Sequence, residues 1–188
     1  MTDEFEFLYK GLVSSSHLTG GALRAKMGAL VENFIDISWD NLCQKYPNII
    51  AHRTVGKESP IIIYGNYKES VDRHLFLNNQ LSIAIECKTY LDKCYLQRAD
   101  SDFSLLKSRC PNLITYVVSL QDSVNHDTLQ YYLSRGNITN IFFLCEERRK
   151  SGMTNHISNH PQFLQKEKVQ FFLLQLEKDF LKNKGETS

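Results

Sequence analysis

The sequence has no apolar run approaching the roughly 18 residues that a membrane-spanning helix needs, and its 188 residues hold no C-x-x-C pair, no internal repeat and no low-complexity tract. Neither sign of charge is in excess: 22 Lys and Arg face 21 Asp and Glu, a net of +1. A polycation that grips nucleic acid by total charge is thereby excluded, while a basic patch on one face is not. The five cysteines, Cys43, Cys87, Cys94, Cys110 and Cys145, are odd in number and scattered. A reducing compartment explains them better than a disulfide framework or a zinc ribbon. Glycine and proline are sparse, at 9 and 4, and 42% of the residues are apolar against 23% charged, which excludes collagen-like and disordered chains. The opening Met1-Thr2-Asp3-Glu4-Phe5-Glu6-Phe7 is acidic, unlike an export signal. The expectation is a soluble, cytoplasmic chain forming a single domain over 1–188, with its core at about 20–150 and a C-terminal helix at about 162–184.

What is present reads as alternating elements. From Thr19 to Gln44 the spacing of Leu23, Met27, Leu30 and Phe34 predicts a long helix. Its other side carries Ala22, Ala25, Gly28, Ala29 and then Glu32. Pro47, Gly56, Pro60 and Gly65 punctuate the next stretch, in which Ile61-Ile62-Ile63-Tyr64 reads as a short strand. Val71–Leu77 and Leu81–Lys88 read as two strands joined by Asn78-Asn79-Gln80, a β-hairpin with Leu81, Ile83, Ile85 and Cys87 on one face. A helix over Ser101–Ser108, a strand over Leu113–Leu120, a helix over His126–Arg135 and a strand over Asn140–Cys145 follow. The final helix carries two apolar stripes: Val169, Phe172, Leu176 and Phe180, with Phe171, Leu174 and Leu181 beside them. The alternation predicts an α/β fold with a central mixed β-sheet flanked by helices.

One constellation carries chemistry. Glu86-Cys87-Lys88 is the single acidic-x-Lys triplet in the chain, at the end of an apolar strand. Strand alternation projects Glu86 and Lys88 from one face, roughly 6.5 Å apart. With Asn78-Asn79-Gln80 as the whole loop, Leu77 pairs with Leu81, and counting outward sets Asp72 opposite Glu86, their Cβ atoms about 4.5–5.5 Å apart. Two unit charges about 4 Å apart interact by about 4 kcal/mol at an effective dielectric of about 20. A proton, a basic side chain or a divalent cation can relieve that repulsion. Asp72, Glu86 and the Cys87 backbone carbonyl offer half of the oxygen shell that Mg²⁺ prefers, water and phosphate supplying the rest. With Lys88 beside them the set fits metal-assisted phosphodiester hydrolysis. A solvated cross-strand charge cluster presents the same residues.

Asp72 followed by the hairpin and Ile85-Glu86-Cys87-Lys88 resembles the PD-(D/E)xK nuclease superfamily. The segment IAIECKTYLDK (83–93) is similar to the signature of certain type II restriction endonucleases, the BbvCI kind among them. Val71 stands where the pattern has proline, and Cys94-Tyr95 follow the signature. The resemblance implies a restriction-endonuclease-like fold, Mg²⁺ as cofactor and double-stranded DNA as partner. Asp72 and Glu86 become metal ligands, Lys88 the catalytic lysine, and Glu32 an accessory acid from the N-terminal helix. The second apolar stripe on the last helix points to a homodimer, whose two-fold axis suits a palindromic target, or to a heterodimer with a second nuclease subunit. A structure-specific or repair nuclease of the same fold, or a catalytically inert DNA-binding module, are the alternatives. Arg148, Arg149, Lys150 and Lys93 are candidate DNA contacts. Gln121, Asn125, Arg135 and Asn137 have side chains of the kind that read bases. His156 and His160 have zinc-ligand spacing, but Gly152, Asn155, Asn159 and Pro161 make their segment a loop.

Overall fold

A computed structural model describes residues 2–13, 20–145 and 164–182. In chain order the elements are helix α1 (Thr2–Val13), helix α2 (Gly20–Lys45), strands β1 (Ala51–Val55), β2 (Ile61–Tyr64), β3 (Tyr67–Glu69), β4 (Arg73–Leu77) and β5 (Gln80–Leu91), helix α3 (Lys93–Arg109), strand β6 (Ile114–Asp122), helix α4 (His126–Ser134), strand β7 (Asn140–Phe143) and helix α5 (Lys166–Lys182). Five strands form the central sheet in the order β1-β4-β5-β6-β7, and β2 pairs with β3 apart from it. The β1–β4 and β4–β5 pairs are antiparallel, while β5–β6 and β6–β7 are parallel. The sheet is therefore mixed and flanked by helices, as the alternation of elements predicts. No helix among the described residues is long and apolar enough to cross a membrane.

Each face of the sheet has its own core. Ile83, Ile85, Cys87, Tyr116 and Val118 pack with Phe34, Ile35 and Trp39 of α2 and with Phe172, Leu176 and Phe180 of α5. Phe5 of α1 stacks on Phe34 with ring centroids 4.3 Å apart. On the other face Ala84 and Val117 pack with Leu96, Phe103 and Leu106 of α3 and Tyr132 of α4. Ile61 and Ile63 seat the β2–β3 ribbon against this second core. Burying such side chains is worth about 1.5–3 kcal/mol each, so the sheet that carries Glu86 and Lys88 is packed from both sides.

Local physics corrects several expectations. The hairpin loop is Asn78-Asn79 alone, with φ of 50° and 61°. Asparagine tolerates the left-handed region, and two such residues make the turn whose twist suits a tight hairpin. Leu77 therefore pairs with Gln80 rather than Leu81, but a bulge then lets Leu75 pair with Ile83 while Phe76 pairs with Leu81. The extra residue, Ser82, restores the register and turns Leu81 away from the Ile83 face, toward the core that holds Ala84. The helix expected over Ser101–Ser108 starts at Lys93, because Asp92 caps it by accepting the Tyr95 N–H at 2.9 Å. The strand expected from Val71 starts at Arg73, and the last helix starts at Lys166, after Leu164 bridges to Cys145. Helix α1 and the short strands β1 and β3 carry no clean periodicity in the sequence. Neither residues 146–163 nor residues 183–188 are among those described.

Candidate active site

The β4–β5 ladder ends at Arg73 opposite Ile85, so Asp72 lies one step beyond it, across from Glu86. The Asp72 N–H donates to Glu86 Oε2 at 3.3 Å, and Asp72 Oδ2 accepts the Cys87 N–H at 2.7 Å. The N–H and C=O of an extended residue point to the same edge, so the Cys87 carbonyl also faces Asp72. Lys88 Nζ lies 3.5 Å from Asp72 Oδ2 and donates a short hydrogen bond to Glu86 Oε1. The two carboxylates and the ammonium thus converge where β4 stops and β5 continues.

Burial sets the electrostatics. Glu86 is only 7% exposed. Loss of water, reinforced by the Asp72 charge, pushes its carboxyl up to about 7 even though Lys88 opposes the shift. Burial alone would lower Lys88, but the Glu86 and Asp72 carboxylates outweigh it and raise it, so the side chain is an ammonium ion at neutral pH. The Cys87 thiol is raised well above its ordinary value by burial and by the surrounding acids, which makes it an inert core thiol. Among the described residues, no three His, Cys, Asp or Glu side chains are grouped to hold a metal ion. The donor set is two carboxylates and a main-chain carbonyl. All of its atoms are hard oxygens, which suits Mg²⁺ completed by water and phosphate, and does not suit zinc.

Glu32 joins this cluster through Arg73. Arg73 Nη1 donates to Glu32 Oε2 at 2.9 Å and to the Asp72 carbonyl at 2.9 Å. Its other edge grips Asp36 in bidentate fashion, Nε to Oδ1 at 2.7 Å and Nη2 to Oδ2 at 3.0 Å. Burial opposes the charge of this guanidinium, but Asp36 and Glu32 outweigh it and keep the group ionised. The sequence does hold the signal for this clamp: Glu32, Asp36 and Asp40 recur every four residues on one face of α2, and Arg73 and Arg53 meet them from the sheet. Tyr95 is a second unanticipated neighbour, its ring centroid 5.8 Å from Lys88 Nζ.

The remaining candidates separate. Lys93 is exposed at the first position of α3. Arg148, Arg149 and Lys150 lie outside the described residues, as do His156 and His160. The candidate base readers are occupied by the fold. Asn125 caps α4 by accepting the Thr128 N–H at 2.8 Å. Arg135 and Asn137 both bind the buried Asp100, at 2.9 and 3.1 Å, and Gln121 is 5% exposed within β6.

No family model matches the chain. The type II restriction enzyme DdeI of Desulfomicrobium norvegicum is 31% identical over 124 residues, an alignment taking in 58% of this chain and 50% of that enzyme. The chain thus spans about half the length of the curated relative it matches. A solved structure, described as the native BbvCI A2B2 tetramer at low resolution, matches with a TM-score of 0.50 at 14% identity, covering 100% of this chain and 89% of that one. The chain therefore resembles the type II restriction endonucleases of the PD-(D/E)xK superfamily and shares the BbvCI fold.

Proposed function

We propose that the chain is the nuclease of a type II restriction system, which binds duplex DNA at a specific sequence and hydrolyses one phosphodiester in each strand with Mg²⁺. The observation that carries this reading is the convergence of Asp72, Glu86 and Lys88 where β4 stops and β5 continues. The similarity to DdeI supports it. Asp72, Glu86 and the Cys87 carbonyl would hold the Mg²⁺. When bound, the ion lowers the pKa of a water and shields the charge that develops on the phosphate.

The residues themselves do the rest. Lys88 acts as a hydrogen-bond donor that orients the attacking water and the phosphate oxygen. Asp72 and Glu86 are fixed in advance by main-chain hydrogen bonds, so little reorganisation is needed when substrate arrives. Glu32 is an accessory acid on the α2 side. Lys93, with the basic run Arg148-Arg149-Lys150, supplies phosphate contacts.

Cutting both strands calls for two such sites. Phe171 and Leu174 of α5 are 63% and 66% exposed, and they form the apolar face through which two subunits would meet. BbvCI was solved as an A2B2 tetramer. A homodimer, or pairing with a second nuclease subunit, is the corresponding assembly here. Such an enzyme works in the cytoplasm.

Purified protein incubated with a panel of unmethylated DNAs and Mg²⁺ should yield discrete fragments with uniform ends. Ends scattered in sequence and clustered at branches or mismatches would replace this reading with a repair nuclease. No cutting and no cation binding would leave an inert DNA-binding module.

A further inference from the structure

The residue before β4 is held by more bonds than any regular element explains. Asp72 lies outside the ladder, yet each of its main-chain polar groups is engaged. Its N–H donates to Glu86 Oε2 at 3.3 Å, and its carbonyl accepts from the Gly56 N–H at 3.3 Å and from Arg73 Nη1 at 2.9 Å. The preceding Val71 N–H donates to Nε2 of His74 at 3.4 Å, and Nδ1 of that fully buried ring lies 3.2 Å from the Ser59 carbonyl. Gly56 approaches this segment so closely that a Cβ built on it would lie 1.7 Å from the Val71 carbonyl oxygen and 2.9 Å from its carbon. That oxygen belongs to main chain and cannot swing aside. Only a hydrogen fits there.

We propose that Gly56 and Arg73 are positioning residues for Asp72, pinning its peptide from two sides so that its carboxylate meets Glu86 and Lys88 at one point. The inference rests on the reading of Asp72 as a cation ligand. Neither residue touches the cation or the DNA in this scheme. A methyl group at position 56 forces the Val71–Asp72 peptide outward by on the order of 1.5 Å before ordinary contact distance is regained. Lysine at position 73 keeps the positive charge between Glu32 and Asp36. Lacking the planar fork, it cannot hold Asp36 in bidentate fashion while also reaching the Asp72 carbonyl.

The test uses Gly56→Ala and Arg73→Lys beside wild type. Mn²⁺ alone is titrated calorimetrically into each protein, thermal melts establish the folded fraction, and plasmid cleavage is separated into kcat and KM. Both variants should bind Mn²⁺ about tenfold or more weakly, as supporting groups behind metal ligands generally require. A misplacement of this size should lower kcat by about a hundredfold, with KM for DNA within about threefold of wild type because the DNA contacts lie elsewhere. Should Gly56→Ala fail to fold, Arg73→Lys alone decides. Folded variants that bind Mn²⁺ and cut like an active wild type overturn this inference and leave the nuclease reading intact. Losses that merely track the unfolded fraction overturn it as well. A wild type that neither binds Mn²⁺ nor cuts overturns both.

Discussion

Replacing Glu86 with glutamine keeps the shape of the side chain and removes its charge. In the wild type that carboxyl is pushed from 4.5 to about 7 by burial and by Asp72. The folded state therefore binds this proton more tightly than the unfolded state does. The stabilisation is complete below the unfolded pKa, near 4.5, and is lost as pH rises through the folded value, near 7. Between about pH 5 and about pH 8 the linkage costs stability on the order of 2–3 kcal/mol. Urea denaturation of wild type and Glu86→Gln at the two pH values isolates it. The wild type should lose on the order of 2–3 kcal/mol more than the variant across this interval. Mg²⁺ should restore the wild type near pH 8 and leave the variant unchanged, since only the wild type presents both acids to the ion. Equal pH dependence in the two proteins, or equal rescue by Mg²⁺, would refute the placement of a second charge beside Asp72.

Lys88→Ala should keep DNA affinity and lose cleavage by about a hundredfold or more in single-turnover assays. Without cation it should also be less stable by about 1–3 kcal/mol, because two partly buried carboxylates lose their neutralising partner, and Mg²⁺ should recover much of that loss. Phe172→Ala should destabilise the fold by about 3–5 kcal/mol in chemical denaturation, since the ring is fully buried against Phe34, Tyr116 and Phe142. Phe171→Glu combined with Leu174→Glu should leave stability within about 1 kcal/mol and shift the light-scattering mass to that of one chain. An unchanged mass would show that α5 is not the subunit contact.

The hairpin shows both the reach and the limit of the sequence. Alternating hydrophobicity over Leu81–Lys88 locates the strand, and its one Glu-x-Lys marks the proposed site. The pairing of Asp72 with Glu86 follows from counting, but only because two unseen features cancel. The loop is one residue shorter than Asn78-Asn79-Gln80, and the bulge at Ser82 adds that residue back. Bulges leave no periodic trace, so alternation places Leu81 with Ile83, Ile85 and Cys87, although it packs on the opposite face. Arg73 was hidden for another reason: an arginine in a strand reads as a solvated side chain until α2 is known to lie over it. Gly56 reads as a loop breaker, and its contact with Val71 depends on a neighbour 15 positions away. Long-range contacts of that kind are set by packing and not by local pattern. The base-reading candidates differ again, for Asn125, Arg135 and Asn137 are polar because the α3–α4 region needs caps and a partner for Asp100.

The most direct test is anomalous diffraction from a crystal of the protein soaked with Mn²⁺. One peak within coordination distance of both Asp72 and Glu86, with Lys88 turned from their shared space toward solvent or phosphate, is the expected result. A crystal with no peak there, the lysine still bound between the two acids, would contradict a catalytic cation at this hairpin.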